Sequence, residues 1–311
     1  MRFDSPIYKK LAHNDTGAAV GHQGGMVIPK DLEAYFPDVK GKISIENPTI
    51  DVAIEAILIV SGKYIGKVNT RYQYQTWGGS RSPERRLTSN LGLLRDEATA
   101  NDIVLFQRDF DNSAVMMISL IKQTDKEYKV INSNLGNKRW GFLGTEPPIS
   151  NDDYSKAYDE IEKINKADFI PISTRKLISV PEKQKKARNA SFRKKILTNY
   201  NYRCAVSSER ILSPSGHYNL DAAHIIPVEV GGTDDPRNGL LLSKDLHWAF
   251  DKGLFGIDEN GKVILSDLAI ECNHDESLLA INASIANFPA DANSRPHPDA
   301  LNWHLENRLI I

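Results

Sequence analysis

At 311 residues, 41% of them hydrophobic, the chain is long for one domain and apolar enough to fill two cores, so two domains are expected. A formal net charge of -1, from 39 basic and 40 acidic residues, excludes a uniformly basic nucleic-acid coat and moves the question to where the charge sits. Two distant cysteines, Cys204 and Cys272, exclude a disulfide framework, and no apolar run reaches the roughly 18 to 20 residues of a membrane span. With no signal-peptide core at the N-terminus, the expectation is a soluble, cytoplasmic protein with no membrane partner.

In chain order, HNDTGAAVGHQGGMVIPK, residues 13–30, combines turn formers with the pair His22 and Gln23, followed by an apolar strand ending at Pro29. Amides and imidazoles read base edges well, which makes that pair a candidate DNA contact. From Lys42 to Phe142, the runs DVAIEAILIV, DIVLF, VMMISLI and YKVI alternate with Gly, Asn, Asp and Ser clusters and predict a small, mostly β barrel or sandwich. Inside it, TRYQYQTWGGSRSPERRLT sets Arg71, Arg81, Arg85 and Arg86 among aromatics and glycines, with Glu84 beside them. Arginine pairs bidentately with guanine or phosphate and glutamate accepts from cytosine; an exposed hairpin with solvated arginines has the same composition.

The stretch GTEPPISNDDYSKAYDEIEKINKADFIPIS, with paired prolines and one polar helical segment, is a domain connection. It divides the chain into 1–145, a linker over 146–180, and 181–311. Between Arg175 and Arg203 ten Lys or Arg residues face one acid, Glu182, a pattern that fits either a solvated helix face or a phosphate-holding segment. Beyond it SFRKKILTNY reads as a helix and LDAAHIIPV as a strand entering a Gly-rich turn. SKDLHWAFDKG reads as a helix opening at Ser243 and stopping at Gly253, and the NWH run near the end as a final helix.

The chemistry concentrates in residues 220–255, LDAAHIIPVEVGGTDDPRNGLLLSKDLHWAFDKGLF. A histidine on an apolar strand is ordinarily a packed core residue, and Asn-Gly ordinarily a turn, but here both recur with a second histidine on the following helix. Hydrolysis of a phosphodiester needs a base to activate water, a Lewis acid for the developing charge, and a group that orients the base. His224 is the candidate base. His247 and Asp251, four apart on a helix, are a mixed nitrogen and oxygen pair suited to a divalent cation. Asp221, on the strand face opposite His224, is the candidate third ligand, and Asn238 the amide that fixes the loop or the imidazole.

These residues, AAHIIP followed by DPRNGLLLSKDLHWAFDKGLF, resemble the HNH (ββα-metal) nuclease family over about residues 190–270, with His224, Asn238 and His247 as the H, N and H. The resemblance implies an endodeoxyribonuclease in which His224 activates water, Asn238 organises the loop, and His247 with Asp251 binds one cation, Mg2+ or Mn2+. The chain departs from many relatives in having Ala223 directly before the base, and Ser207 where a CxxC pair would put a second cysteine after Cys204, so no structural zinc is expected. In the front part, NDTG, GHQ and IPK, then WGGSRSPERRLT, resemble the B3-like DNA-binding domain of EcoRII-type restriction enzymes over about residues 8–145. There two arms of a β pseudobarrel grip the major groove, and the matching positions are His22 and Gln23 on one arm and Arg81, Glu84, Arg85 and Arg86 on the other. Together the resemblances imply an α+β, two-domain restriction-type endonuclease acting on double-stranded DNA as a homodimer, selecting a sequence, a methylated base or an altered backbone. The alternative is an inactive DNA reader on an HNH frame.

Overall fold

The computed structural model describes residues 3–18, 25–39, 41–76, 82–109, 114–143, 148–173, 181–211, 218–272 and 276–309. Two compact units, Met1–Asp153 and Tyr154–Ile311, divide it, and the mixed α and β architecture expected from the sequence is present.

The first unit is built on β1 (Ile7–Lys10), β2 (Gly25–Ile28), β3 (Thr49–Val60), β4 (Lys63–Gln75), β5 (Glu84–Thr88), β6 (Ile103–Arg108), β7 (Val115–Ile121) and β8 (Trp140–Phe142). They form one sheet in the order β2-β5-β4-β3-β7-β6-β1-β8, curled as a pseudobarrel, in which β3 and β7 are parallel and all other neighbours antiparallel. Period-two patterning accounts for β3, whose Ile54, Ala56 and Leu58 are fully buried inside the barrel. In β6 the two faces serve two cores: Val104 and Phe106 join β3, whereas Ile103 and Leu105 pack with Tyr8 and Leu135.

A short helix, α1 (Gly92–Arg95), follows β5, and α2 (Lys126–Leu135) covers that second face. The YKVI run, expected among the strands, lies inside α2 and is a correction. Its apolar positions Tyr128, Ile131 and Leu135 recur at three and four residues and pack together on β6, so helical spacing over ten residues prevails over a four-residue apolar run.

The second unit takes in α3 (Asn151–Lys166) from Tyr154 onward and comprises α4 (Glu182–Asn199), β9 (Leu220–His224), β10 (Gly239–Ser243), α5 (Lys244–Asp251), β11 (Phe255–Ile257), β12 (Val263–Leu265), α6 (Asp267–Cys272), α7 (Glu276–Leu279) and α8 (Pro298–Asn307). Its core joins Ile161 of α3, Phe192 and Ile196 of α4, Leu240, Leu241 and Leu242 of β10, and Phe250 and Phe255. Polar helix α3 is thus tied to this core through Ile161, while the helix expected near the terminus is α8. Among the described residues no helix is long and apolar enough to cross a membrane.

Candidate active site

Strands β9 and β10 pair antiparallel, setting His224 opposite Gly239 and Asp221 opposite Leu242. The loop between them is closed by Asn238, which is fully buried: its Oδ1 accepts from the Ile226 amide at 2.8 Å, and its Nδ2 donates to the carbonyls of Ile226 at 3.0 Å and Thr233 at 2.9 Å. Three bonds from one side chain staple both ends of the loop, so the contacts of Asn238 are with the loop rather than with the imidazole of His224. Gly239, read from sequence as turn chemistry, has an extended backbone, φ -130°. Its missing Cβ matters because one placed there would lie 2.4 Å from Ile196 Cδ1 and 2.9 Å from Phe192 Cζ.

The loop delivers Asp234 to the strand. His224 Nε2 lies 3.0 Å from Asp234 Oδ1, and Arg188 Nη2 of α4 lies 2.6 Å from Asp234 Oδ2. Burial works to raise the Asp234 carboxyl, but the hydrogen bonds and charges of His224 and Arg188 prevail and hold it below its ordinary value. One turn beyond Arg188, Phe192 stacks its ring on the His224 imidazole, with centroids 4.1 Å apart and planes 8° from parallel. Positions four apart share a helix face, so α4 supplies the guanidinium and the ring to one histidine. Sequence reasoning misses both Asp234 and Arg188. The spacing of Arg188 and Phe192 is visible in the sequence, but their partner lies across the fold.

Helix α5 opens as expected, Ser243 Oγ accepting from the Leu246 amide at 3.5 Å, and ends before Gly253, which has φ +68°. Within it His247 Nε2 lies 3.4 Å from Asp251 Oδ2, and His247 Nδ1 lies 3.7 Å from Asp221 Oδ2. Asp221 also pairs through Oδ1 with Arg193 Nη1 of α4 at 3.2 Å. The three expected ligands therefore meet at one imidazole, with the two carboxylates on different ring nitrogens. Among the described residues no three His, Cys, Asp or Glu side chains gather as a ready metal site. One cation takes one ring nitrogen, so the candidate donor pairs are His247 with Asp251 and His247 with Asp221. Each pair is an imidazole and a carboxylate, which fits a hard or borderline divalent ion completed by water and phosphate oxygens.

A cleft of about 210 Å³ is lined by His224, Glu229, Asp251, His304 and Arg308, with Phe250 in its wall. It brings the candidate base and the outer carboxylate of α5 to one space. His304 of α8 is buried, stacked on Phe250 at 3.7 Å, and burial lowers its pKa to about 4. Cys204 is buried too, its Sγ accepting from the amides of Ser207 and Ser243 at 3.4 Å each.

Of the expected DNA contacts in the first unit, His22, Gln23 and Arg81 lie outside the described residues. Arg71 is held in a bidentate pair by Asp51, at 2.8 and 2.6 Å. Arg85 pairs with Glu33 and lies 4.0 Å over the Tyr74 ring, and Arg86 is buried, 6% exposed, beside Glu84. With so little of it exposed, Arg86 offers almost no surface to a groove. The NDTG motif proves to be an anchor: buried Asp15 ion-pairs with Lys9 Nζ at 2.7 Å and accepts from the amides of Ala12 at 2.9 Å and Val27 at 3.0 Å. Arg95 then clamps the carbonyls of Asp15 and Thr16.

Two antiparallel strands running straight into a helix, with the candidate base His224 on the first strand and His247 and Asp251 on the helix, form a ββα arrangement. Comparison with family models agrees. Residues 204–258 match the HNH endonuclease family and residues 5–141 match the family described as restriction endonuclease EcoRII, N-terminal. No curated protein matches the sequence. Among solved structures, the modification-dependent TagI restriction endonuclease is 14% identical, with 88% of this chain and 78% of that one covered and a TM-score of 0.32. The B3 domain of UbaLAI restriction endonuclease, solved with cognate DNA, is 20% identical over 48% of this chain and 85% of its own, with a TM-score of 0.31. The N-terminal domain of Helicobacter pylori LlaJI.R1 is 16% identical over 46% and 99%, with a TM-score of 0.31.

Proposed function

We propose that this chain is a restriction-type DNA endonuclease in which the N-terminal domain selects the site and the HNH domain hydrolyses the phosphodiester. The observation that carries the reading is that His224 and Asp251, one on a strand and one on a helix of the HNH segment, line one cleft. His224 takes the proton of the attacking water through the nitrogen that Asp234 leaves unprotonated. His247 and Asp251 would hold a divalent cation, Mg2+ or Mn2+, with Asp221 bracing the opposite nitrogen of His247. When bound, that cation supplies Lewis-acid stabilisation of the charge developing on the phosphate and leaving oxygens. Asn238 keeps the loop that carries Asp234 in place, and Arg308, at the rim of the cleft, is placed to neutralise a phosphate oxygen.

Site selection belongs in this reading to His22, Gln23 and Arg81 of the segments flanking β2 and β5, with Glu84 and Arg85 beside them. Arg71, held by Asp51 through Nε and Nη2, keeps Nη1 as a donor for a phosphate oxygen. One active site per chain cuts one strand, so two chains acting together on DNA complete a double-strand break.

The test is incubation of purified protein with two DNAs of identical sequence, one unmodified and one carrying host modifications, in Mg2+ or Mn2+ and again with excess EDTA. Cation-dependent fragments that disappear in His224→Ala support the reading; fragments from only one DNA assign the selectivity. Binding of DNA with no cutting of either substrate would instead support an inactive reader.

A further inference from the structure

We infer that Asp234, braced by Arg188, is a positioning residue that holds His224 in the tautomer protonated at Nε2, so that Nδ1 is the nitrogen presented to water. The inference deepens the reading of His224 as the base and rests on it for its catalytic meaning, but the tautomer itself is a property of the ground state.

A carboxylate accepts hydrogen bonds and does not donate them, and Asp234 is held ionised by the two groups on either side of it. At 3.0 Å from Asp234 Oδ1, Nε2 must therefore carry the proton, and a neutral imidazole then has its lone pair on Nδ1. The guanidinium of Arg188 satisfies the other carboxylate oxygen at 2.6 Å, so Asp234 is saturated on both sides and cannot turn away without leaving a buried charge unpaired. Phe192 fixes the plane of the ring from below. Tautomer, ring rotation and ring plane are thus set by three side chains from two elements, the loop that closes at Asn238 and the face of α4 that carries Arg188 and Phe192. The basic helix that reads as a phosphate-holding segment therefore turns part of its charge inward, and Arg193 holds Asp221 beside His247 in the same manner.

The experiment is nitrogen-15 NMR of the full chain labelled at histidine, with His224→Ala identifying its signals, at neutral pH and without metal. The unaltered chain is expected to give ring shifts of a single Nε2-protonated tautomer, and Asp234→Asn, whose amide accepts either tautomer, a mixture. On a plasmid that the unaltered chain nicks, Asp234→Asn is expected to lower kcat about 10- to 100-fold with KM for DNA unchanged. Arg188→Gln, at a more exposed position, is expected to lower it less and guards against misfolding of the first variant. An Nδ1-protonated or mixed population in the unaltered chain overturns the inference, as does wild-type kcat in Asp234→Asn. Full cutting by His224→Ala with the Nε2-protonated tautomer intact would instead remove the base assignment and leave the positioning geometry standing.

Discussion

Gly239 stands directly across the β9–β10 ladder from His224, and the space left by its missing side chain is filled by Phe192 and Ile196 of α4. The candidate base is therefore held to helix α4 through the residue opposite it, not only through its own contacts. A Cβ at this position meets Ile196 Cδ1 first. Gly239→Ala is expected to cost about 1 to 3 kcal/mol in urea denaturation of the second unit, and the double variant with Ile196→Ala to show non-additive relief. Simple additivity of the two losses would show that the contact does not constrain the site.

Asn238→Ala is expected to leave the Ile226 amide and the Ile226 and Thr233 carbonyls without their partner. Buried groups abandoned in this way cost about 1 to 3 kcal/mol each before relaxation or water entry, so a net loss of about 3 kcal/mol is expected from equilibrium unfolding, together with lost cutting. Stability within a few tenths of a kcal/mol of the parent would mean that the amide does not staple the loop.

Asp15→Asn removes the charge facing Lys9 in the first unit. Burial already pushes the Lys9 ammonium below its ordinary pKa, with Asp15 working against that shift. Loss of the partner is expected to cost about 3 to 5 kcal/mol, measured as a lower midpoint for the unfolding transition of the first unit. Lys9→Met combined with Asp15→Asn should recover part of that loss, because no buried charge then remains unpaired.

His304 makes acid stability measurable. Folded, it titrates at about 4, pushed down by burial, against 6.5 when exposed in the unfolded chain. Between those values the unfolded chain binds the extra proton, so stability from this group is complete above pH 6.5 and is lost as pH falls toward 4, by at most about 3 kcal/mol. His304→Gln is expected to flatten that part of the stability curve. An unchanged slope between pH 6.5 and 4 would assign acid sensitivity to other groups.

Much of the catalytic half was legible because its signals are local. Ser243 and Gly253 bracket α5, the four-residue spacing of His247 and Asp251 puts them on one face, and a strand with His224 at its end follows from the apolar run. Local reading failed at YKVI, where four apolar residues fit either period, and at Gly239, where the reason for glycine is a helix some forty positions earlier.

Residue identity and short-range periodicity thus determined most strands of the front part and the helix at Ser243, that a histidine, an asparagine and a second histidine recur in an HNH pattern, and that a B3-like motif precedes them. Only the tertiary structure decided that Arg188 and Asp234 reach His224, that Asp221 and Asp251 take different nitrogens of His247, and that Arg86 is buried while Asp15 anchors the NDTG turn. The reason is physical: spacing along a helix or strand fixes which side chains share a face, but which distant charge meets that face depends on how the core packs, and core packing is set by all the apolar surfaces together.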